Sequence, residues 1–307
     1  MSPEPLQLSL PACTVVVCTR DRPVELDRCL HALTRLSYPH YDILVVDNAP
    51  IDNRAREVAA RYGTGYLLES VPGLSRARNA GGRAAQGQIV AFIDDDAMPE
   101  PDWLSELIPA FADPNVMAVA GRVEPVDAQN RSLRPSNSSQ ERCSFDRETP
   151  GWFERANFGG IGHGANFAVR HSAFKLWPGF DERLGKGVLI EGNDEHHAFF
   201  SLIHRGYRVA YSPNATVRHP TPAGEEAFRA RQFKDLAASA GYITLLFFEE
   251  PLYRRAVLKF ALDALRGRPR PWRLPSPHGP HYRLDRWRVW LAYLVGPWLY
   301  LRSRFRR

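Results

Sequence analysis

Three consecutive carboxylates, Asp94, Asp95 and Asp96, follow a short apolar run at 89–93. The run is typical of a strand buried on both faces, and in open α/β sheets ligands bind where such strands end. Adjacent carboxylates repel one another unless a cation joins them, and a hard divalent ion, often shared with a phosphate, prefers oxygen ligands. The alternative is an exposed acidic turn before a helix, since aspartate also caps helices. The stretch favours a site for a divalent ion and a phosphate.

Other polar residues follow neighbouring apolar runs. Asp47 ends the run ILVVD, where a carboxylate either accepts hydrogen bonds from a ribose or base or caps a turn. Residues 19–22, TRDR, follow the first run and either line the same edge or form the turn. Arg76 and Arg78 are two residues apart at the start of a predicted helix, so they point to different faces. We therefore expect only one of these two arginines to reach a ligand.

A second polar group lies within 191–219. Asp194 and Glu195 open a predicted helix, where the helix dipole favours negative charge. The functional alternative is that one of them is a general base, which must be ionised and within hydrogen-bond reach of the proton that it removes. His219 ends the last predicted strand, where a neutral imidazole could complete a metal site.

Apolar runs and helical patterns alternate along the first 120 residues or so. Strands are predicted at 13–18, 43–46, 65–68, 89–93 and 116–120, and helices at 23–36, 53–62, 74–85 and 101–112. Pro23 and Pro101 suit a first helical turn, where a missing N–H group is tolerated. This alternation predicts an α/β fold with a mostly parallel sheet flanked by helices.

The chain of 307 residues is predicted to have four parts, namely a tail at 1–11, a main domain at 12–223, a helical extension at 224–266 and a C-terminal segment at 267–307. Within the domain, a polar stretch at 125–150 predicts a long mobile loop between the halves 12–124 and 151–223. The second half contains a predicted helix near 194–205 and a predicted strand pair at 208–211 and 215–218. Five prolines within 267–283 predict a linker.

Net positive charge is confined to the C-terminal part, because residues 1–250 have a formal net charge of −6 and residues 251–307 one of +12. The apolar stretch at 289–301 has 13 residues, whereas a membrane span needs about 20. Large apolar residues recur there at helical spacing between arginines: Trp287, Trp290, Leu294 and Trp298. This pattern predicts an amphipathic segment on an anionic membrane surface; the alternative is a helix packed on the domain.

Several common site types are absent from the sequence. No GxxxxGK[ST] motif occurs and no GxGxxG follows the first strand, which argues against a P-loop nucleotidase and a simple dinucleotide-binding domain. No GxSxG elbow supports a serine hydrolase. The four cysteines match neither a zinc site nor a disulfide framework, and the N-terminus lacks the regions of a signal peptide, so we expect a cytoplasmic protein. Nucleic-acid binding is disfavoured because the acidic domain would repel a phosphate backbone.

Taken together, the motifs resemble family 2 glycosyltransferases of the inverting GT-A type, over roughly residues 12–220. Five segments carry the resemblance in order and spacing: VVVCTRDRP, VVDNAP, GLSRARNAGGRAAQGQIVAFIDDDAMPEPDWL, GANFAVRHSAF and GFDERLG. Their order makes the resemblance more specific than any single motif. It implies a GT-A fold, here followed by a helical basic C-terminal extension.

The resemblance also implies a role for each matching residue. The residues expected to bind a nucleotide sugar are Thr19, Asp47, Arg78, Asp94 and Asp95. Asp96 is expected to bind Mg²⁺ or Mn²⁺ on the diphosphate, with His219 as a further ligand. The family usually has Glu-Asp where this chain has Asp194-Glu195, and alignment back from residues 205–207 favours Glu195 as the catalytic base, with Asp194 as the alternative.

The leading hypothesis is an inverting, metal-dependent glycosyltransferase, peripheral on the inner face of a bacterial cell membrane. The donor sugar stays open, and the acceptor is a saccharide, a lipid carrier or a small natural product. One alternative is a sugar-nucleotide nucleotidyltransferase, against which the glycine-free loop CTRDRP counts. Another is a non-catalytic scaffold, which only the reversed order of Asp194 and Glu195 supports.

Overall fold

The computed structural model describes residues 10–127, 129–133, 141–221, 224–268 and 284–305. The strands in these residues are β1 Cys13–Thr19, β2 Tyr41–Asn48, β3 Gly65–Glu69, β4 Ile89–Asp94, β5 Met98–Pro99, β6 Val116–Val126, β7 Cys143–Phe145, β8 Asn166–Arg170 and β9 Arg208–Pro220. Most of the predicted tail at 1–11 and of the predicted linker at 267–283, and part of the predicted loop at 125–150, lie outside the described residues.

The helices in the described residues are α1 Pro23–Leu33, α2 Arg54–Arg61, α3 Leu74–Ala84, α4 Trp103–Leu107, α5 Trp152–Asn157, α6 Ala173–Leu176, α7 Asp194–His204, α8 Glu225–Glu249, α9 Arg254–Leu265 and α10 Arg286–Phe305. Short 3₁₀ helices occur at Ile108–Ala112 and Pro251–Tyr253. The predicted helix at 101–112 is thus α4 followed by a 3₁₀ turn, and the predicted extension at 224–266 is two helices.

One mixed sheet contains the described strands in the order β3-β2-β1-β4-β8-β6-β9-β5, and β7 also pairs with β9. Strands β1 to β4 pair in parallel, as do β6 and β9. In contrast, β8 runs antiparallel to both of its neighbours, and β5 and β7 run antiparallel to β9. The parallel half follows the predicted pattern, and β8 joins it to the second half.

Helices cover both faces of the sheet, because each presents an apolar stripe to it. In α1, the buried residues Leu26, Cys29, Leu30 and Leu33 recur at the spacing of one helix face. They belong to one core, together with residues of α2 and α4. The other face of the sheet has a second core, formed with residues of α3, α5, α7 and α8. This layering confirms the predicted α/β architecture.

A bulge interrupts the pairing of β6 with β9. Gly121 lies opposite Ser212, whereas the next residue, Arg122, lies opposite Thr216, so β9 has three extra residues at 213–215. The predicted strand pair at 208–211 and 215–218 is therefore one continuous strand with a bulge between its halves.

The side chain of Asn166 fills the gap that the bulge leaves. Its amide nitrogen donates to the carbonyl oxygens of Arg122, at 2.7 Å, and of Ala215, at 2.8 Å. Its amide oxygen accepts a hydrogen bond of 2.8 Å from the indole of Trp103. The side chain thus replaces the missing ladder bonds between the two strands.

The C-terminal helix α10 packs along α8 through small residues. A Cβ atom on Gly296 would lie 2.4 Å from the Cβ of Ala240 and 2.6 Å from the backbone nitrogen of Gly241, so only glycine allows this approach. Among the helices that the structure describes, none combines the length and the apolar character that crossing a bilayer requires.

Candidate active site

A cleft of about 570 Å³ lies at the carboxyl edge of the parallel strands. The register of β1 and β2 places Thr19 beside Asp47, and β4, on the other side of β1, ends at Asp94. The start of α7 and the end of β9 face this edge and bring Glu195 and His219 into the cleft. Elements from both halves of the domain therefore form the cleft.

Within the acidic turn after β4, Asp95 points into the protein. Its two carboxylate oxygens accept hydrogen bonds from the Thr19 hydroxyl, at 2.8 Å, and from the Arg22 guanidinium, at 2.7 Å. Arg22 also donates to Asp96, at 2.7 Å. Burial raises the pKa of Asp95 to about 7, although Arg22 opposes the shift. The Asp95 side chain therefore fixes the turn through hydrogen bonds inside the protein.

Asp94, Asp96 and His219 form a group that could hold a metal ion. One ligand atom from each lies within 4.8 Å of the others, and Nε2 of His219 is 3.3 Å from Oδ1 of Asp96. This Oδ1 atom is buried and accepts no hydrogen bond from the described residues. Burial alone would raise the pKa of Asp96, but His219 and Arg22 outweigh it and lower the pKa below its usual value. The two carboxylates suit Mg²⁺ or Mn²⁺, and the imidazole adds a nitrogen ligand, which Mn²⁺ accepts more readily than Mg²⁺ does.

Arg78 on α3 connects the acidic turn to the start of α7. Its buried guanidinium donates to Asp194, to Asp94 at 3.2 Å and to the carbonyl oxygen of Gly164 at 2.7 Å. It also lies over the ring of Phe167, 5.2 Å from the centroid. Burial would lower the pKa of Arg78, but Asp194 and Asp94 raise it, so the charge is retained. The arginine is thus already bound to protein groups on both sides.

The two acids at the start of α7 have different surroundings. Asp194 is buried and paired with Arg78. Glu195 instead accepts a hydrogen bond of 3.2 Å from the backbone N–H of Gly164, and its side chain retains 13% exposure. Burial first, and then the charge of Asp194, raise the pKa of Glu195 to about 7. Glu195 therefore changes charge near neutral pH, as a general base can.

A second group of possible metal ligands contains Glu195 itself. His163, Glu195 and His196 each offer an atom within 4.8 Å of the other two. Nε2 of His196 lies 3.7 Å from Oε1 of Glu195. The imidazoles of His163 and His196 thus lie next to Glu195.

Asp47 is buried at the end of β2. One of its oxygens accepts a hydrogen bond of 2.9 Å from the Tyr66 hydroxyl, and the other, Oδ1, is buried without a hydrogen bond from the described residues. Burial raises the pKa of Asp47, although the bond from Tyr66 lowers it. An orphaned buried oxygen at a ligand-binding edge is an acceptor available to a ligand.

Comparison with known proteins identifies the family of this chain. The model of glycosyl transferase family 2 matches residues 14–177, which are more than half of the chain. The chain belongs to glycosyl transferase family 2.

Two curated family relatives match part of the chain. Glycosyltransferase AglE of Haloferax volcanii is 32% identical over 124 residues, 38% of this chain and 40% of that protein. The pre-mycofactocin glycosyltransferase of Mycobacterium tuberculosis is 32% identical over 148 residues, 48% of this chain and 30% of that protein. The chain thus matches less than half the length of these relatives.

Among solved structures, the mannosyltransferase PcManGT from Pyrobaculum calidifontis, in complex with GDP-Man and Mn²⁺, is similar with a TM-score of 0.57 at 21% identity. The likeness covers 96% of this chain and 73% of that chain. It confirms the predicted GT-A fold.

In this family 2 chain, the predicted site residues occupy two positions. Those that line the cleft are Arg78, Asp94, Asp194, Glu195 and His219. Thr19, Asp47 and Asp95 are not among the lining residues and contact other protein groups. Asp96 is not a lining residue either, but it lies 3.3 Å from His219. Sequence reasoning put all of these residues at one edge but could not distinguish those that line the cleft from those that lie behind it.

Arg22 is the main site residue that sequence reasoning did not assign. It follows β1 by three positions and bridges Asp95 and Asp96. A signal was present, since three adjacent acids need a neighbouring cation and the loop TRDR supplies two arginines. His163 and His196 were also unassigned, and nothing in their spacing indicates that they meet at Glu195.

Proposed function

We propose that this chain transfers a glycosyl group from a nucleotide-diphosphate sugar to an acceptor hydroxyl, with a divalent metal and with inversion. The observation that carries the proposal is that Asp94 and His219, which lie beside Asp96, line the same cleft as the acid Glu195. Arg78 connects the two groups through its ion pairs with Asp94 and Asp194. One group suits a metal diphosphate and the other suits a base. The shared cleft supplies both requirements of a direct displacement.

The metal would be held by Asp96 and His219, with Asp94 beside them. Mg²⁺ or Mn²⁺ bound there supplies charge neutralisation for the departing diphosphate. Arg22 holds Asp96 from behind, so that carboxylate is oriented before any ligand binds. The mannosyltransferase neighbour, which is shown with GDP-Man and Mn²⁺, supports this assignment.

Glu195 is the proposed base. Its carboxylate takes the proton of the acceptor hydroxyl, the acceptor oxygen forms a bond to the anomeric carbon, and the bond from that carbon to the diphosphate oxygen breaks on the opposite face. The sugar ends inverted and no covalent enzyme intermediate forms. Asp194 is less suited to be the base, because its carboxylate is already paired with the guanidinium of Arg78. We propose that Asp194 instead sets the pKa of Glu195 through its charge.

The nucleoside is proposed to bind over the ends of β1 and β2. Asp47 offers its orphaned Oδ1 to a base or ribose donor. Asp94 would lie next to the diphosphate, and Arg78 balances the negative charges of Asp94 and Asp194. Thr19 and Asp95 are proposed to act indirectly, by fixing the turn that carries the metal ligands.

Helix α10 is proposed to lie on an anionic membrane surface. Its exposed face has a continuous apolar stripe, listed here from the N-terminus: Trp287, Trp290, Leu294, Trp298, Leu301 and Phe305. Arg288 and Arg302 lie over the rings of Trp287 and Trp298, at 5.3 and 4.9 Å. Aromatic and basic side chains on one surface suit the boundary between headgroups and acyl chains. This supports a peripheral position on the inner face of the membrane.

Neither alternative function gains a specific observation. The loop after β1 has no glycine, which a nucleotidyltransferase would use to approach phosphates. The reversed order of Asp194 and Glu195 supported a scaffold, but this order is compatible with a carboxylate in the cleft.

Calorimetric titration tests the proposal. UDP, GDP and dTDP are titrated into the wild type and the Asp96→Ala variant, each with and without Mn²⁺. We expect one diphosphate to bind in a metal-dependent manner to the wild type and this binding to be lost in the variant. A folded wild type that binds none of the three under either condition would refute the nucleotide site.

A further inference from the structure

Beyond the catalytic groups, the cleft continues into a region that we call the apolar wing, defined by Phe158, Leu236, Ile243, Phe260, Ala264 and Val289. These residues come from the loop after α5 and from helices α8, α9 and α10. The same cleft contains Glu195 and His219. The cleft thus combines the catalytic polar groups with apolar side chains, most of which come from the helices.

The size of the apolar wing exceeds that of one small substituent. Its residues on α8 are Leu236 and Ile243, which lie about 10 Å apart along the helix axis. Across from α8, Phe158 stacks on Phe260. The charged residues of this wall, Arg231 and Asp235, pair with each other at 3.7 Å and lie in the first half of α8. The second half of this wall has no charged residue among the described lining residues.

We infer that the apolar wing binds an aliphatic chain of the acceptor, so that the acceptor is an amphiphile whose hydroxyl reaches Glu195. The inference rests on the proposed function, because it gives the substrate class of that same site. A polar saccharide in the wing would lose hydrogen bonds to water without replacing them, which is unfavourable. An alkyl or prenyl chain gains from the burial of its apolar surface.

The helices that form the wing also carry exposed apolar residues. On α9, Phe260 and Ala264 line the cleft, whereas Leu258 and Leu262 are about half exposed on the outer surface. On α10, Val289 lines the cleft and its neighbour Trp290 is exposed. A chain in the wing thus lies one helix away from the surface proposed to contact lipid, which matches an acceptor drawn from a membrane.

Binding of n-alkyl β-glucosides tests this inference without requiring turnover. Butyl, hexyl and octyl glucoside, all below their micelle concentrations, are titrated calorimetrically into the full chain. If the wing buries the alkyl chain, affinity should rise by about tenfold for every two methylene groups. Equal affinities across the series would overturn the inference.

A pair of variants on α9 locates the binding. Ala264→Trp fills the wing and should weaken octyl glucoside binding by at least about tenfold. Leu262→Trp adds the same side chain on the exposed side of the helix and should leave binding unchanged. Equal binding by Ala264→Trp and the wild type would contradict the assignment. If Ala264→Trp does not fold, Ile243→Ser removes apolar surface from the wing and is expected to weaken binding in the same direction.

Two further experiments separate failure of this inference from failure of the proposed function, and a membrane acceptor from a soluble one. Asp96→Ala should lose metal-dependent diphosphate binding but keep chain-length-dependent glucoside binding. If the proposed function is wrong, the wild type is expected to bind no diphosphate but still to bind the glucosides. Vesicles of glucosyl-diacylglycerol in phosphatidylcholine distinguish the sources, since a membrane lipid displaces octyl glucoside whereas a preference for soluble amphiphiles leaves it bound.

Discussion

Arg78 and Asp194 form a buried ion pair that joins α3 to the first turn of α7. Their side chains are only 3% and 4% exposed, and the same guanidinium also reaches Asp94. One cation therefore balances a carboxylate on the donor side of the cleft and one on the base side. Because the pair is buried, neither partner is easily removed alone.

We expect Arg78→Ala to reduce the free energy of unfolding by about 3–5 kcal/mol, since it leaves Asp194 buried without its cation. Urea unfolding measures this change. Arg76→Ala is the matched control on the same helix, because the Arg76–Glu182 pair is about two-fifths exposed and should contribute less than about 1 kcal/mol. Equal losses in the two variants would show that the buried pair contributes no more to the free energy of unfolding than the exposed pair does.

Glu195→Gln should lower kcat by about 10²–10⁴-fold, because the amide cannot accept the acceptor's proton. Asp194→Asn keeps the hydrogen-bonding shape beside Arg78 and should lower kcat by less than about tenfold. The assay is release of nucleotide from the sugar nucleotide whose diphosphate binds in the titration. The opposite order of effects would make Asp194 the base.

The pH dependence follows from the pKa of Glu195, which burial and Asp194 raise to about 7. A base works only when ionised, so kcat/KM should fall by about tenfold for each pH unit below 7. Asp194→Asn removes a negative charge and lowers the pKa of Glu195. The acid limb of the pH profile of kcat/KM should therefore move to lower pH. A wild-type limb near the ordinary glutamate value of 4.5 would contradict the assignment.

His219→Ala should weaken Mn²⁺ binding by at least about tenfold, since loss of groups that only support a metal ligand already has that effect. Electron paramagnetic resonance of free Mn²⁺ measures the affinity. His40→Ala, a change at an exposed histidine on the domain surface, is the control and should leave it unchanged. Equal affinity in both variants would remove His219 from the metal site.

Replacing both Trp290 and Trp298 by serine should weaken binding to vesicles with anionic lipid by about tenfold. Both side chains are more than half exposed, so the change removes membrane contact without opening the core. Cosedimentation measures the bound fraction, and high salt should reduce it by screening the arginines. Ile51→Ser, at an exposed site on the domain, is the control. Binding that survives in the double variant would favour a helix that only packs on the domain.

The first half of the fold was predictable because each strand there is an apolar run with a helix after it. Strands β1 to β4 match their predicted positions within a few residues. Strand β8 was not predicted, because its residues NFAVR follow a glycine-rich stretch that has no clear period. Its antiparallel position between β4 and β6 depends on contacts distant in sequence, which local patterns do not contain.

The candidate site was predictable to the level of an edge but not of individual contacts. Residue type and strand position were enough to bring Asp96 and His219 together. The partner of Arg78 was not predictable, because it pairs with Asp194, 116 residues away, rather than extending into open space. Burial shifts the pKa values of the acids in the cleft. Because burial depends on how distant parts of the chain pack together, the local sequence does not reveal it.

The bulge in β9 separates two halves of the strand whose odd-numbered residues face opposite sides of the sheet. Val209 and Tyr211 belong to the core on the α7 side, whereas Ala215 and Val217, also odd-numbered, belong to the core on the α1 side. Three extra residues reverse the two-residue alternation, and His219 thereby shares a face with Ala215 and Val217. Because Val217 lies opposite Val123 and His219 lies opposite Pro125, the pairing with β6 holds the imidazole on this face, and the bulge absorbs the three extra residues within itself.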